Sequence, residues 1–505
     1  MKGLFLIAND DLMMPHEYRY LVWLARMTSL LAGLTLGLLF IPYSWSWFAP
    51  LPLALLFAVI SSSHSGAEAF WRGFASGVGF FGFHLAWLPI SFAELFGSVG
   101  AAVMLPLVLA LAVFWGMTAA ITRHFAGRFT LLALPFAWVI LEFLRGLGAL
   151  SFTWGALGYA LLPTPLIQIA DLGGVQLASL LVGLIAVALV YVARFEWKLP
   201  ATVLGLVVAA TIYGSSRPTP AEAKLEVLLV QGSVNPLEKA RGEFTSSLKL
   251  YERLSLEGLQ TGAKPALIVW PEGAVATPPT ETQTRTVLEK LVVPAVIGAP
   301  DFENGQRSNS AYGFAEARVT GRFDKVKLVP FSEFFPLRDT LDFVYTPIFN
   351  SFGLPGLRGT TPGTGFKPLN LGMIRAGTYI CYESTFSAVS RMMALGGANL
   401  LVNISNDAWF GRTAGAEQHF QMGRVRAIET RRFVARAGND GITAVIDPLG
   451  RVIQRFPRGE RAAFRARVGL SDTLTFYVRF GDWVVWFSGL VLIGLYRLQR
   501  RKGRV

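Results

Sequence analysis

The single cysteine, Cys381, closes the run Gly377-Thr378-Tyr379-Ile380-Cys381, a short β-branched and aromatic stretch that reads as a strand. Open α/β folds present reacting groups at the carboxyl ends of strands, where a rigid sheet faces a crevice. A thiol placed there is a candidate nucleophile for acyl chemistry. Alone, it reads more readily as a small buried hydrophobe, because free cysteine is among the most buried residue types. Three other segments carry groups that would suit a nucleophile. Val269-Trp270-Pro271-Glu272-Gly273 is a second strand-like run ending on a carboxylate, and the segment from Lys325 to Glu333 sets an amine and another carboxylate around an apolar stretch. Asn406-Asp407-Ala408-Trp409-Phe410-Gly411 is the third. Taken singly, these also read as a strand terminator, a solvated hairpin rim and a turn.

The elements that would position these groups fall into two compositional regimes. The chain has 505 residues, 52% of them hydrophobic and only 16% charged, with a mean hydropathy of +0.45. Soluble domains carry about 25% charged residues, so a wholly soluble protein is excluded. The length suggests two or three domain-sized units. Up to about residue 215, apolar segments recur with almost no internal charge. About 20 helical residues cross a hydrocarbon core of about 30 Å, and the expected spans are 23–40, 45–62, 73–92, 101–122, 131–144, 169–193 and 199–214, with an eighth at 483–496. The opening residues 1–8 carry too short an apolar stretch for a cleaved signal and are expected to be retained.

The formal net charge is +13, but the basic residues sit beside the apolar runs, where they read as topology signals rather than a nucleic-acid surface. Arg19, Arg26, Arg72, Arg123, Arg128, Arg194 and Lys198 fall in alternate connections, and Arg497, Arg500, Arg501, Lys502 and Arg504 close the chain. The intervening loops 41–44 and 93–100 hold no basic residue, and 145–168 holds only Arg145. Both termini are therefore expected in the cytoplasm and the block 215–482 on the far side. One cysteine excludes an intrachain disulfide or a multi-cysteine metal site, and five histidines without ligand spacing make no case for a metal.

The outer block alternates strand-like runs (225–230, 266–270, 293–298, 311–315, 377–380, 399–404 and 441–446) with helical stretches at 244–259 and 282–290, the pattern of an α/β domain. The expected division is a transmembrane domain at 1–214 with seven spans, an α/β domain at 215–482, and a C-terminal span with a basic tail at 483–505. Residues 215–223, with Pro218 and Pro220, read as the linker.

In this order, Glu272, Lys325 and Cys381 on three strand ends resemble the catalytic set of the nitrilase (carbon–nitrogen hydrolase) superfamily. With the spans, the resemblance narrows to its membrane-embedded branch, the apolipoprotein N-acyltransferases. It is carried by Leu141-Glu142-Phe143-Leu144-Arg145-Gly146, Val230-Gln231-Gly232, Leu328-Val329-Pro330-Phe331, Ile380-Cys381-Tyr382-Glu383 and Ser405-Asn406-Asp407-Ala408-Trp409-Phe410-Gly411. Further on come Gln418-His419, Arg426-Ala427-Ile428-Glu429 and Thr475-Phe476-Tyr477. One departure stands out: a lysine–tryptophan pair is common in the family after the Gln-Gly string, and here Lys239 precedes Ala240.

The resemblance implies a multi-pass helical membrane domain of about eight spans carrying an extramembrane αββα sandwich, in the bacterial inner membrane with the sandwich on the periplasmic side. It implies ping-pong transfer of an acyl group from a phospholipid, phosphatidylethanolamine, through a cysteine thioester to the α-amine of a diacylglyceryl-apolipoprotein. Cys381 would be the nucleophile, Glu272 the base and Lys325 the oxyanion partner, with Glu333, Tyr382 and Glu383 in support. No cofactor and no nucleic-acid partner are implied, and a monomer is expected. Trp409, Phe349 and Phe352 are the candidate lipid contacts, the last two in a Gly- and Pro-punctuated aromatic loop suited to a bilayer surface. Glu142 and Arg145, one helical turn apart, are expected to pair with each other; His84 and Glu94 carry no assigned role. Two rival readings remain: a membrane-tethered amidase using the same three residues with water as acceptor, and a transporter bearing a non-catalytic binding module.

Overall fold

In the computed structural model, which describes residues 16–41, 43–96, 104–218, 223–234, 244–351 and 359–502, the second half of the chain builds two six-stranded sheets. The first has the order β12(Ala462–Val468)-β1(Leu225–Gln231)-β2(Leu267–Val269)-β3(Ala295–Glu303)-β4(Gln306–Ala315)-β5(Arg318–Asp324). The second runs β11(Val452–Arg455)-β10(Ala444–Ile446)-β9(Val434–Gly438)-β8(Leu400–Ser405)-β7(Ile374–Ile380)-β6(Leu369–Leu371). In each sheet the three strands β1-β2-β3 or β7-β8-β9 are parallel, and antiparallel strands extend the edges.

Side-chain alternation makes the layers. Along β1, Val227 and Leu229 join the core between the sheets, whereas Leu228 and Val230 join a second core under the helices Phe244–Gln260 and Thr282–Leu291. β2 repeats the pattern, with Leu267 and Val269 inward and Ile268 and Trp270 outward. The helices Ser387–Leu395 and Ala414–Thr430 cover the other sheet, which completes an αββα sandwich. Each fully buried Val, Leu or Ile contributes roughly 1.5–3 kcal/mol, so the two-period pattern is what holds the sheets in register.

The first half is helical and apolar. Among the described residues, four stretches are long and apolar enough to cross a membrane, Arg19–Leu39, Met104–Arg145, Pro165–Ala193 and Lys198–Ser215, and a fifth if Gly66–His84 and Trp87–Ala93, bent by 50°, form one span. The expected segment 45–62 is not one helix. It is a 3-10 stretch Tyr43–Phe48 followed by the 12-residue helix Pro50–Ser61, only about 18 Å long at 1.5 Å per residue. Pro50 and Pro52 explain the break, since neither can donate to a preceding turn. The stretch Met104–Arg145 is interrupted at Gly127–Phe129, where Gly127 adopts φ +52. Trp483–Lys502 packs against Thr130–Arg145. Leu21, Trp23, Leu105, Ile121, Leu204, Ile212 and Leu490 point outward from these helices, a surface suited to hydrocarbon rather than water.

The helix Ala414–Thr430 ties the halves together. It is buried along nearly its whole length between the second sheet and the apolar helices. Gln418 accepts from the indole N–H groups of Trp87 (3.0 Å) and Trp154 (2.7 Å) and donates to the His84 carbonyl (3.0 Å). Arg426 and Glu429 pair at 3.2 Å with both side chains fully buried. Glu429 Oε1 also accepts from Val175 N at 3.0 Å, just after Gly174 breaks its helix at φ +66. Arg431 meets Asp171 at 2.7 Å. Removing one partner of a buried pair strands the other charge, at a cost of about 3–5 kcal/mol. Arg426→Met is therefore expected to lower the thermal midpoint in detergent, and adding Glu429→Gln should recover part of the loss; a double variant no more stable than the single one would contradict this.

Candidate active site

Three strand ends converge. Glu272 follows β2 after a Pro271 turn, Lys325 follows β5 directly, and Cys381 follows β7 from the opposite sheet. Gly298 on β3 allows the first turn to pack: a Cβ there would lie 2.2 Å from the Pro271 carbonyl oxygen and 2.8 Å from Glu272 Cα.

Lys325 is 1% exposed. Its Nζ lies 3.3 Å from Glu272 Oε1 and 2.8 Å from Glu333 Oε2. Burial alone would discharge the ammonium, but Glu272 and then Glu333 outweigh it and push its pKa up. Glu333 shows the converse. Burial favours its neutral form, yet the Lys325 charge, aided by hydrogen bonds from Val329 N and Asn309, holds the carboxyl below its usual range. Asn309, from the middle of β4, donates to both carboxylates, at 2.7 Å to Glu272 and 2.9 Å to Glu333. The free oxygen of Glu272 accepts from Asn406 N at 2.9 Å. The two carboxylates are thus fixed relative to one cation.

Cys381 has φ +50, a backbone conformation that costs a non-glycine residue of order 1–3 kcal/mol and persists only where neighbours over-determine it. Two contacts do so. Glu383 reaches back to Ile380 N at 2.8 Å, and His419 Nε2 lies 2.9 Å from the Cys381 carbonyl oxygen and 2.7 Å from Ser384 Oγ. His419 Nδ1 in turn lies 3.1 Å from Asp407, which Arg436 binds at 2.7 Å and whose carboxyl Arg436 and His419 hold far below its usual range despite burial. Burial raises the Cys381 thiol well above its ordinary value, and the Glu272 charge adds to this while Lys325 opposes it. The resting group is a thiol, so attack must be coupled to proton removal.

Glu383 ties the second sheet to the Lys325 segment, accepting from Val326 N (2.7 Å) and Lys327 N (3.0 Å). Tyr382 donates to the Ser151 carbonyl at 2.7 Å; burial raises its phenol, with Lys325 and Arg145 pulling in the other direction. Trp409 is exposed on the short turn Asp407–Phe410, while the adjacent Phe410 packs on Trp87 and Trp154. Phe349 falls on the helix Asp342–Ser351, and Phe352, Lys239 and Ala240 lie outside the described residues. Glu142 and Arg145, expected to pair, act on each other through space but make no hydrogen bond to one another. Glu142 accepts from Leu157 N and Ser179 Oγ, and Arg145 donates to the Trp154 carbonyl. Asn309 and the Asp407–His419 support were not expected from sequence. Asn309 sits inside an unremarkable polar run, whereas Asp407 and His419 lie in two of the strings that carry the resemblance, with no role assigned to either.

A two-sheet sandwich with a carboxylate, an ammonium and a thiol at its strand ends is the arrangement of the carbon–nitrogen hydrolases, and residues 244–473 match the carbon-nitrogen hydrolase family model. Residues 32–188 match the apolipoprotein N-acyltransferase N-terminal domain. The chain is 33% identical to the apolipoprotein N-acyltransferase of Geobacter metallireducens over 510 residues, covering 94% of this chain and 95% of that one. The Azotobacter vinelandii and Pseudomonas aeruginosa (strain PAO1) proteins of the same name are 32% and 30% identical, each covering more than nine-tenths of both chains. The chain belongs to the apolipoprotein N-acyltransferase family.

Glu383 yields a pH prediction. Burial, against the pull of its three backbone N–H donors, pushes its pKa up to about 7 from an ordinary 4.5. Between those values the folded state holds a proton that the unfolded chain has released. Stability should therefore fall as pH rises through this window, by up to about 1.4 kcal/mol per pH unit. Denaturation midpoints measured from pH 4.5 to 8 should show that slope, and Glu383→Gln should flatten it.

Proposed function

We propose that this protein moves a fatty acyl group from a membrane phospholipid, through a thioester on Cys381, to the N-terminal α-amine of an S-diacylglyceryl-cysteine lipoprotein. N-acylation of apolipoproteins is the activity for which its family is named. The observation that carries the mechanism is the Lys325 ammonium held between Glu272 and Glu333 beside a protonated thiol.

In the first half-reaction the Cys381 sulfur attacks the donor ester carbonyl carbon while Glu272 takes the thiol proton. Lys325 faces the negative charge that develops on the carbonyl oxygen. Collapse breaks the bond to the glycerol oxygen, which takes the proton from Glu272 and leaves as lysophospholipid. In the second half, the acceptor amine attacks the thioester and gives a proton to Glu272. The carbon–sulfur bond breaks, the sulfur regains the proton, and an amide remains. Asn309 and Glu333 keep Lys325 and Glu272 at a constant separation through both halves. No step calls for a cofactor.

Phosphatidylethanolamine is the donor of this reading, and a monomer its working unit. The alternation of basic and non-basic connections supports eight crossings, cytoplasmic termini and a periplasmic block at 215–482 in the inner membrane of a bacterium. That reading divides the chain at 1–214, 215–482 and 483–505. Trp409, Phe349 and Phe352 would meet lipid at the mouth; Phe331, Leu337 and Phe343 are exposed on the described segment 331–343, which supports an apolar rim.

The test is transfer from phosphatidylethanolamine to a diacylglyceryl lipopeptide by the purified protein. Wild type should show an acyl thioester on Cys381 by mass spectrometry, and Cys381→Ala should abolish both thioester and product. Lys325→Met should slow transfer roughly 100- to 1,000-fold, the effect of losing one oxyanion donor. Transfer surviving without the cysteine would overturn the mechanism, and release of free fatty acid with no lipopeptide product would favour the amidase reading.

A further inference from the structure

Among the described residues, Arg145 is a buried cation that hydrogen-bonds to no carboxylate. Its residue is 5% exposed, its Nη1 donates to the Trp154 carbonyl at 3.1 Å, and its guanidinium lies over the Phe81 ring at 5.4 Å. Nε is buried with no acceptor among the described residues, and Glu142, one turn away, acts on the guanidinium through space without a hydrogen bond to it. The carboxylate one turn away is committed elsewhere: Glu142 Oε1 takes Leu157 N at 2.8 Å and Oε2 takes Ser179 Oγ at 2.6 Å. A guanidinium carries five N–H donors in a planar fork, and a buried charge left unpaired is unfavourable.

Its placement ties it to the reacting cysteine. The loop that follows Arg145 is fastened to the turn that follows Cys381, through Tyr382 Oη donating to the Ser151 carbonyl at 2.7 Å and Thr153 Oγ1 donating to Thr385 Oγ1 at 2.8 Å. Arg145 also ends an apolar helix, Thr130–Arg145; in the eight-crossing reading above, that end would lie where lipid phosphates meet the hydrocarbon. The fork of a guanidinium matches two oxygens of a phosphodiester.

We propose that Arg145 binds the phosphodiester of the phospholipid acyl donor and so sets its glycerol ester against Cys381. The proposal rests on the phospholipid-to-lipopeptide reading above. The acceptor, a diacylglyceryl thioether, carries no phosphate, so Arg145 serves the first half-reaction and is idle in the second. It is a binding residue for one of two substrates that share a pocket.

The half-reactions separate the idea from a structural role. In the full-length protein, acyl-enzyme formation would be followed by mass spectrometry from phosphatidylethanolamine and from a p-nitrophenyl acyl ester, which has no phosphate. Arg145→Gln should slow acylation by the phospholipid about 10- to 100-fold, the range for losing a charge-assisted contact. Acylation by the p-nitrophenyl ester, and transfer from the pre-loaded enzyme to lipopeptide, should keep wild-type rates. Arg145→Lys should fall between the two on phospholipid and provides the same comparison if the glutamine variant does not fold. Equal loss with both donors, or no loss with phospholipid, would overturn the proposal. A wild type that forms no thioester from either donor would instead remove the acyl-transfer reading itself.

Discussion

A single ammonium in a dry interior organises the sandwich. Lys325 is tolerable there only because Glu272 and Glu333 approach within ion-pair distance and Asn309 bridges them. Those partners come from the end of β2, the loop after β5 and the middle of β4, so the strand order β2-β3-β4-β5 is a requirement of the charge balance as much as of apolar packing. Gly298 on the intervening β3 lets the Glu272 turn settle against its neighbour. The thiol arrives from the other sheet, and Glu383 fastens the two sheets at that point by gripping the backbone on both sides of the gap. The electrostatics follow from the same contact. Glu272 favours the neutral thiol and the charged lysine at once.

Much of this was legible in the residues. Short apolar runs that stop before Pro271 and at Cys381 read as strands, and β2 and β7 end there. The strand before Lys325, Arg318–Asp324, is not read from the residues, and the strand-end place of Lys325 comes only with the resemblance. The helices at 244–259 and 282–290 appear within a residue of their expected limits. What escaped reading has physical reasons. β9 is buried throughout but contains Arg436, whose charge disguises it; the ion pair with Asp407 that makes its burial possible joins residues 29 apart in the chain. Arg426 and Arg432 are likewise fully interior, although basic residues in such a chain read as topology markers. Apolar content made 45–62 look like a crossing, but hydropathy does not register that Pro50 and Pro52 shorten the helix. Glu142 and Arg145 have ideal spacing for a hydrogen-bonded pair, and the buried backbone N–H of Leu157 takes the Glu142 carboxylate instead.

The membrane half and the sandwich are not joined by a linker alone. Gln418 satisfies two indoles and a carbonyl of the apolar half from a helix that belongs to the sheet half. Glu429 does the same at the left-handed break of Gly174, capping a helix of one half with a side chain of the other. Such bonds are buried, so pulling the halves apart would expose unpaired donors and acceptors rather than wet an ordinary interface.

That junction turns the apolar helices into a ruler. With the two halves fastened through Ala414–Thr430, the proposed reading makes the height of Cys381 above the bilayer midplane depend on helix lengths and proline breaks. A lipid ester lies at a depth dictated by its own membrane, so under that reading the fit between sulfur and ester would be a property shared by the protein and the thickness of the bilayer that holds it.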